Sequence, residues 1–157
     1  MHAGDVLHYG HLTLLGSLER VPPGRWELGG VCGVWSVKNI VAHLASYELV
    51  LVDLLGHLRD GRGDGFVSPI DAAFNDEQVA RREALSPAET LEEYRRAHEQ
   101  ALALARALPE ATFRQAGVLP WYGPEYDLDD YLVYTFYGHK REHSAQVDVF
   151  TSGAARS

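Results

Sequence analysis

The stretch WSVKNIVAHLASYELVLVDLLGHLRDG, residues 35–61, decides the fold of this 157-residue chain. Ser36 can accept a hydrogen bond from the backbone amide three residues on, as the first residue of a helix does. Asn39 stands where a capping box has Glu or Gln, so that half of the motif is weaker. Apolar residues then recur every three or four positions until Gly61, which predicts an amphipathic helix about 36 Å long.

Three more segments of the chain have the same helical period, and Gly- or Pro-rich connections separate them. They cover residues 4–20, 86–109 and about 127–150, and a loop (61–70) and a short polar helix (71–85) connect the second long helix to the third. No segment alternates as a strand does. The sequence predicts an all-α fold, a four-helix bundle with a long connection between helices 2 and 3, and a single domain over residues 1–157.

The composition is that of a soluble globular domain, with 46% hydrophobic and 23% charged residues. The formal net charge of −8 disfavours phosphate backbones and anionic lipid surfaces, so we expect no nucleic-acid partner and no membrane partner. We find no continuous run of about 20 apolar residues. The single cysteine, Cys32, cannot form an intrachain disulfide and is expected to be a packing residue, which favours the cytoplasm.

Two of the eight histidines form an His-x3-His pair, His139 and His143. Chance placement predicts roughly 0.4 such pairs, so the spacing alone is weak. The two residues also lie on the inward stripe of the fourth helix, where a bundle has leucines, and a buried imidazole without a partner costs about 1–3 kcal/mol. A metal ion would compensate for this loss, and neighbouring side chains or water in a wet groove are the alternative.

A third ligand would come from another helix, because metal sites in bundles are built from facing helices. His43, at the flank of the apolar stripe of the second helix, is the best candidate, and His98 is a reserve ligand. The remaining four histidines are interpreted as structural or solvated: His2, His8, His11 and His57.

The motifs around these histidines resemble those of the DinB-like family. They are Trp35-Ser36 followed, after six intervening residues, by His43-Leu44, then His139-x3-His143, and Asp71-x3-Asn75. The resemblance implies an up-down-down-up four-helix bundle, often a homodimer, that holds a divalent metal on His43, His139 and His143. Family members include metal-dependent transferases that use bacillithiol or mycothiol, a mycothiol-dependent maleylpyruvate isomerase, and proteins with hydrolase-like assignments.

Three neutral imidazoles leave at least one coordination position open, as in catalytic metal sites. A thiol could bind there and attack an electrophile, or a bound water could act as a hydrolytic nucleophile. Imidazole ligands suit several metals, of which we expect zinc first and nickel second.

Five further residues are candidates for roles near the metal. Tyr47, one turn after His43, could point its hydroxyl at a substrate or be a core tyrosine, and Glu142 could orient a ligand or be a surface charge. Asn75, Arg82 and Trp121 could line the mouth of the site, although aromatic residues such as Trp121 more often cover the end of a core.

These observations predict a metal-dependent enzyme that acts on a small electrophilic molecule by transferring a low-molecular-weight thiol. The first alternative is a metal-dependent hydrolase that uses a metal-bound water. The second is a non-catalytic protein that binds a metal or a ligand in a stress response.

Overall fold

The structure, a computed structural model, describes residues 2–156 and their side chains as far as Gly153. Its α-helices are α1 (Ala3–Glu19), α2 (Val37–Arg59), α3 (Phe74–Arg81), α4 (Pro87–Ala107), α5 (Glu110–Phe113), α6 (Leu128–Leu132) and α7 (His139–Arg156). A π-helical segment, Val133–Gly138, joins α6 to α7. Within residues 2–156 there is no β-strand, which confirms the predicted all-α class.

Contacts between the long helices define an up-down-down-up bundle. Lys38 at the start of α2 donates to the carbonyl of Glu83 just before α4, so these two helices are parallel. Helix α7 runs parallel to α1, with Arg20 paired to Asp148 at the far end of both. Helix α4 runs opposite to α1, because Gly4 at the start of α1 lies against Arg106 at the end of α4. The predicted topology is therefore confirmed.

A serine caps each of the helices α2 and α4, and the cap at Ser36 was predicted. The Ser36 hydroxyl accepts from the Asn39 amide at 3.1 Å, and the Asn39 side chain accepts from the Ser36 amide at 2.9 Å. Asn39 thus completes the capping box, in the half that we expected to be weaker, because its amide oxygen replaces a carboxylate as acceptor. Ser86 forms the same box with Glu89 at the start of α4. These caps fix where the two central helices begin.

Helix α2 is the central helix of the core. Leu51, Leu54 and Leu55 are fully buried in it. By length and composition α2 is also apolar enough to cross a membrane, although we expected no such span, but 67% of its most apolar window is buried inside the fold. This burial is that of a core helix in a soluble bundle.

The connections differ from the sequence prediction in three places. The short helix α3 covers eight residues, because the Asp71 carboxylate accepts from the amides of Ala73 and Phe74 and holds a turn before it. Helix α5 was not predicted. The π-helical segment interrupts what the sequence predicts as one continuous helix, and it ends immediately before His139.

Candidate metal centre

Three histidines from two helices meet at one point of the bundle. The Nε2 atom of His139 lies 3.0 Å from that of His43 and 3.0 Å from that of His143. One nitrogen from each ring falls within 4.8 Å of the others, so the group could hold a metal ion. Two nitrogens bound at about 2.0–2.1 Å to one ion are typically about 3.0–3.4 Å apart, and the two 3.0 Å separations agree with this value.

The Nδ1 atom of His143 has an acceptor that fixes the tautomer of this ring. It lies 2.8 Å from Gln146 Oε1, so Nδ1 carries the proton. The Nε2 lone pair of His143 then points at Nε2 of His139, 3.0 Å away. A cation among the three Nε2 atoms would accept this lone pair and those of the other two neutral rings. The residues therefore fit a metal ion.

The three rings are neutral at physiological pH. Burial, followed by the charges of His139 and His143, lowers the pKa of His43 from 6.5 to about 3. Burial and neighbouring charges lower the pKa of His139 to about 4, and burial also lowers the pKa of His143. Neutral imidazole is the form that binds metals, so protons compete only weakly with a metal at pH 7.

Tyr47 stands beside this cluster. Its ring centroid is 4.6 Å from that of His43 and 4.8 Å from that of His139. Burial raises the pKa of the Tyr47 hydroxyl, and a hydrogen bond from the Asn75 side chain opposes that shift. The hydroxyl is therefore protonated at neutral pH and can donate a hydrogen bond, and Asn75 is placed to orient it.

A surface cavity of about 620 Å³ opens next to His139. Tyr47 forms one side of it, and the π-helical segment with the first turn of α7 forms the other. Glu142 is exposed on this second side. Of the five predicted residues near the metal, the structure brings Tyr47, Asn75 and Glu142 close to the histidines.

Arg82 and Trp121 make their contacts elsewhere. The Arg82 guanidinium is buried and bonds Glu93 at 2.5 Å and Gln78, so it ties α3 to α4 instead of facing the histidines. Trp121 packs in an aromatic cluster with Phe66 and Tyr131. Neither residue lines the cavity beside His139.

A second buried polar cluster, which the sequence reasoning missed, lies at the centre of the bundle. It consists of one residue from each long helix: His11, Glu48, His98 and Lys140. Lys140 forms an ion pair with Glu48, and both side chains are almost fully buried. His98, the reserve ligand, lies 3.7 Å from Glu48 and belongs to this cluster rather than to the three-histidine group.

The position of these two charged residues in the sequence could have revealed the pair. Glu48 follows Leu44 by four residues and Lys140 follows Phe136 by four, so both stand on inward stripes. Burial alone would raise the pKa of Glu48, but Lys140 and His98 outweigh it and lower the pKa to about 2. Glu48 is therefore ionised, and it forms a buried ion pair with Lys140 within this cluster.

An up-down-down-up helical bundle with an His-x3-His pair facing a third histidine defines a class of proteins that can hold a metal on three imidazoles. The chain belongs to the DinB superfamily, whose family model matches residues 13–147. No curated protein matches it.

A solved structure also shares the fold. It is the colibactin self-resistance protein ClbS in complex with dsDNA, which is 15% identical to this chain. The match has a TM-score of 0.70 and covers 93% of this chain and 91% of ClbS.

This neighbour overturns one expectation. We excluded nucleic acid because of the net charge of −8, and that exclusion is wrong, since a protein of the same fold has been solved with duplex DNA. Net charge sums over the whole chain, whereas a duplex contacts one local surface. The total charge of a bundle of this kind therefore does not decide whether it binds DNA.

Proposed function

We propose that this protein is a metal-dependent enzyme that holds one divalent ion on His43, His139 and His143 and transfers a low-molecular-weight thiol to a small electrophile. The observation that carries the proposal is the convergence of three Nε2 atoms, two pairs of them 3.0 Å apart. Zinc is the first expectation for the metal and nickel the second, because neutral imidazoles bind both.

The residues around the histidines support a reaction on a bound molecule. A divalent ion in the site would supply a lowered pKa for a thiol in its open position, giving a thiolate at neutral pH. Tyr47, whose hydroxyl is protonated at neutral pH and whose pKa burial raises further, can donate a hydrogen bond to an oxygen of the substrate. In the transfer, the thiolate sulfur bonds to the electrophilic carbon as the leaving group departs with its bonding electron pair; the thiol proton has passed to solvent.

Two other activities use the same residues. In a hydrolase, a water would replace the thiol as nucleophile, and Glu142 in the cavity wall could accept its proton. In a non-catalytic protein that binds a metal or a small ligand in a stress response, the three histidines would stabilise the fold. The cytoplasmic location stays a prediction, and so does the homodimer that the family resemblance implies.

The metal site is tested first by elemental analysis of purified protein and of two variants. We expect about one divalent ion per chain in the natural protein and a large loss in the His143→Ala variant. His57→Ala is the matched control, because His57 lies near the end of α2 and its side chain hydrogen-bonds Asp53, away from the three histidines. A metal content of about one ion per chain in His143→Ala would contradict the assignment of His143 as a metal ligand.

The reaction class is tested with a panel of electrophiles, incubated with the zinc-loaded protein in the presence and absence of a low-molecular-weight thiol. Turnover that requires the thiol supports transfer. Turnover without it indicates hydrolysis, and no turnover under either condition favours the binding protein. Tyr47→Phe, which keeps the ring and removes the hydroxyl, should reduce turnover without reducing the zinc content.

A second candidate function follows from the neighbour of shared fold, since ClbS is a self-resistance protein solved with dsDNA. In that role the chain would bind duplex DNA while it neutralises a reactive small molecule. Fluorescence anisotropy with a labelled duplex tests it. Binding that weakens steeply with salt would support this role, because phosphate contacts release counterions, and no binding at low salt would exclude it.

A further inference from the structure

The cavity beside His139 has a chemistry of its own that indicates what binds there. Its volume, about 620 Å³, is within the range of about 300–1,000 Å³ usual for small-molecule sites. Three tyrosines, Tyr47, Tyr134 and Tyr137, line it together with Val133. Tyrosine rings offer wide, flat contact surfaces, so these walls suit a flat or apolar molecule.

One cation in the cavity wall is held in place and has no acidic partner. The guanidinium of Arg141 lies 5.6 Å from the ring centroid of Tyr137 and donates to the Tyr137 hydroxyl at 3.2 Å. None of the ion pairs within the described part of the chain includes Arg141. A guanidinium has five N–H donors in a fixed fork, so most of its hydrogen-bonding capacity remains for an anion.

A second charged residue in the cavity wall, Glu142, limits the negative charge of a molecule that can bind there. Glu142 is exposed on the same side of the cavity, next to His139. Its carboxylate repels a second negative group placed near the histidines, so one negative charge at Arg141 is accommodated better than two.

We propose that this cavity binds a small, flat or apolar molecule that carries a single negative charge, with the charge at Arg141 and the opposite end of the molecule at His139. Arg141 would then determine specificity for the charge, and the tyrosines would hold the apolar body. The proposal deepens the proposed function, on which it rests for the reaction, by naming the class of substrate; binding itself requires no metal.

The probes for the test are 1-naphthoate and 1-naphthamide, which have the same ring system and differ in charge. Calorimetric titrations use protein from which metal has been removed with a chelator, so that the carboxylate cannot bind a metal. We expect naphthoate to bind about tenfold more tightly than naphthamide, as a charge-assisted hydrogen bond to arginine provides.

Three variants test which residues of the cavity cause the preference for naphthoate. Arg141→Met should remove the preference for naphthoate, whereas Arg95→Met, which changes an exposed arginine of α4, should preserve it. Tyr134→Ala should weaken both probes, because it removes one wall of the cavity. Equal binding of the two probes to the natural protein, or a preference that survives in Arg141→Met, would overturn the proposal.

The test separates this proposal from the proposed function. If the natural protein binds no zinc but still prefers naphthoate through Arg141, the metal enzyme is excluded and the anion site stands. If zinc binds to the three histidines and the two probes bind equally, the metal site stands and the anion site is excluded.

Discussion

Gln146 controls the protonation pattern of a candidate metal ligand although it does not belong to the three-histidine group. Its Oε1 atom accepts from Nδ1 of His143 at 2.8 Å, which leaves the Nε2 lone pair directed at the other two rings. Removing such a partner from a metal-binding histidine typically reduces metal affinity about 10- to 100-fold. We therefore expect Gln146→Leu to weaken zinc binding by a factor in this range, measured by competition with a chromogenic chelator.

Gln100→Leu is the control for this prediction, because Gln100 is exposed on α4, a helix that carries none of the three histidines. Gln146→Glu keeps an acceptor at the same place and should retain most of the affinity. Zinc binding in Gln146→Leu that equals the natural value would show that the hydrogen bond does not support the site.

At the scale of the helices, the buried pair of Glu48 and Lys140 joins α2 to α7, the same two helices that carry the three histidines. Removing one partner leaves the other charge buried and unpaired, which typically costs about 3–5 kcal/mol. We expect Glu48→Gln to lower the free energy of unfolding by an amount of this order, measured by urea denaturation of the metal-free protein.

A double variant distinguishes the buried charge from a general packing defect. Glu48→Leu combined with Lys140→Met removes both charges and should recover most of the lost stability, since apolar residues can replace a buried ion pair. The exposed pair of Glu92 and Arg96 is the control, because breaking such a surface pair usually costs less than about 1 kcal/mol. If Glu48→Gln lowers the free energy of unfolding no more than breaking the Glu92–Arg96 pair does, the buried pair does not stabilise the contact between α2 and α7.

The helices and their starts could be predicted from the sequence because the signals are local. Ser36 and Ser86 cap helices through residues three positions away, and the apolar stripes follow from the helical period alone. The π-helical segment before His139 has no such signal, since Val133–Gly138 reads as ordinary helix. The partnership of Glu48 with Lys140 depends on which helices are neighbours, and a single sequence reports this only through an assumed topology.

The predicted site residues also divide into those that a local sequence pattern places and those whose contacts depend on the packing of distant segments. The positions of His43, His139 and His143 on inward faces follow from periodicity, and the structure brings the three together. Arg82 was expected near the mouth of the site because the connection between α2 and α4 could lie across it. Its guanidinium instead meets the carboxylate of Glu93 on α4, a contact between residues eleven positions apart that no local pattern specifies.

For the whole molecule, the buried histidines determine how the metal-free protein responds to acid. The pKa of His43 is lowered to about 3 and that of His139 to about 4, mainly by burial, against 6.5 for the free side chain. Between these values the unfolded chain binds protons that the folded chain excludes, so stability is complete above pH 6.5 and falls as the pH drops below it. His98, whose pKa burial also lowers, adds to the same trend.

We therefore expect His43 and His139 together to take up about two protons when the metal-free protein unfolds at pH 5, in addition to those taken up by His11, His98 and His143, whose pKa values are also lowered. Urea denaturation at half-unit steps from pH 7.5 to pH 4.5 measures this uptake as the slope of the unfolding free energy against pH. Replacing His43 by Asn should lower the slope by about one proton, because that residue no longer titrates. A free energy of unfolding that stays constant from pH 7 to pH 5 would mean that the three rings already carry protons in the folded state, and the converging lone pairs that point to a metal ion would not exist.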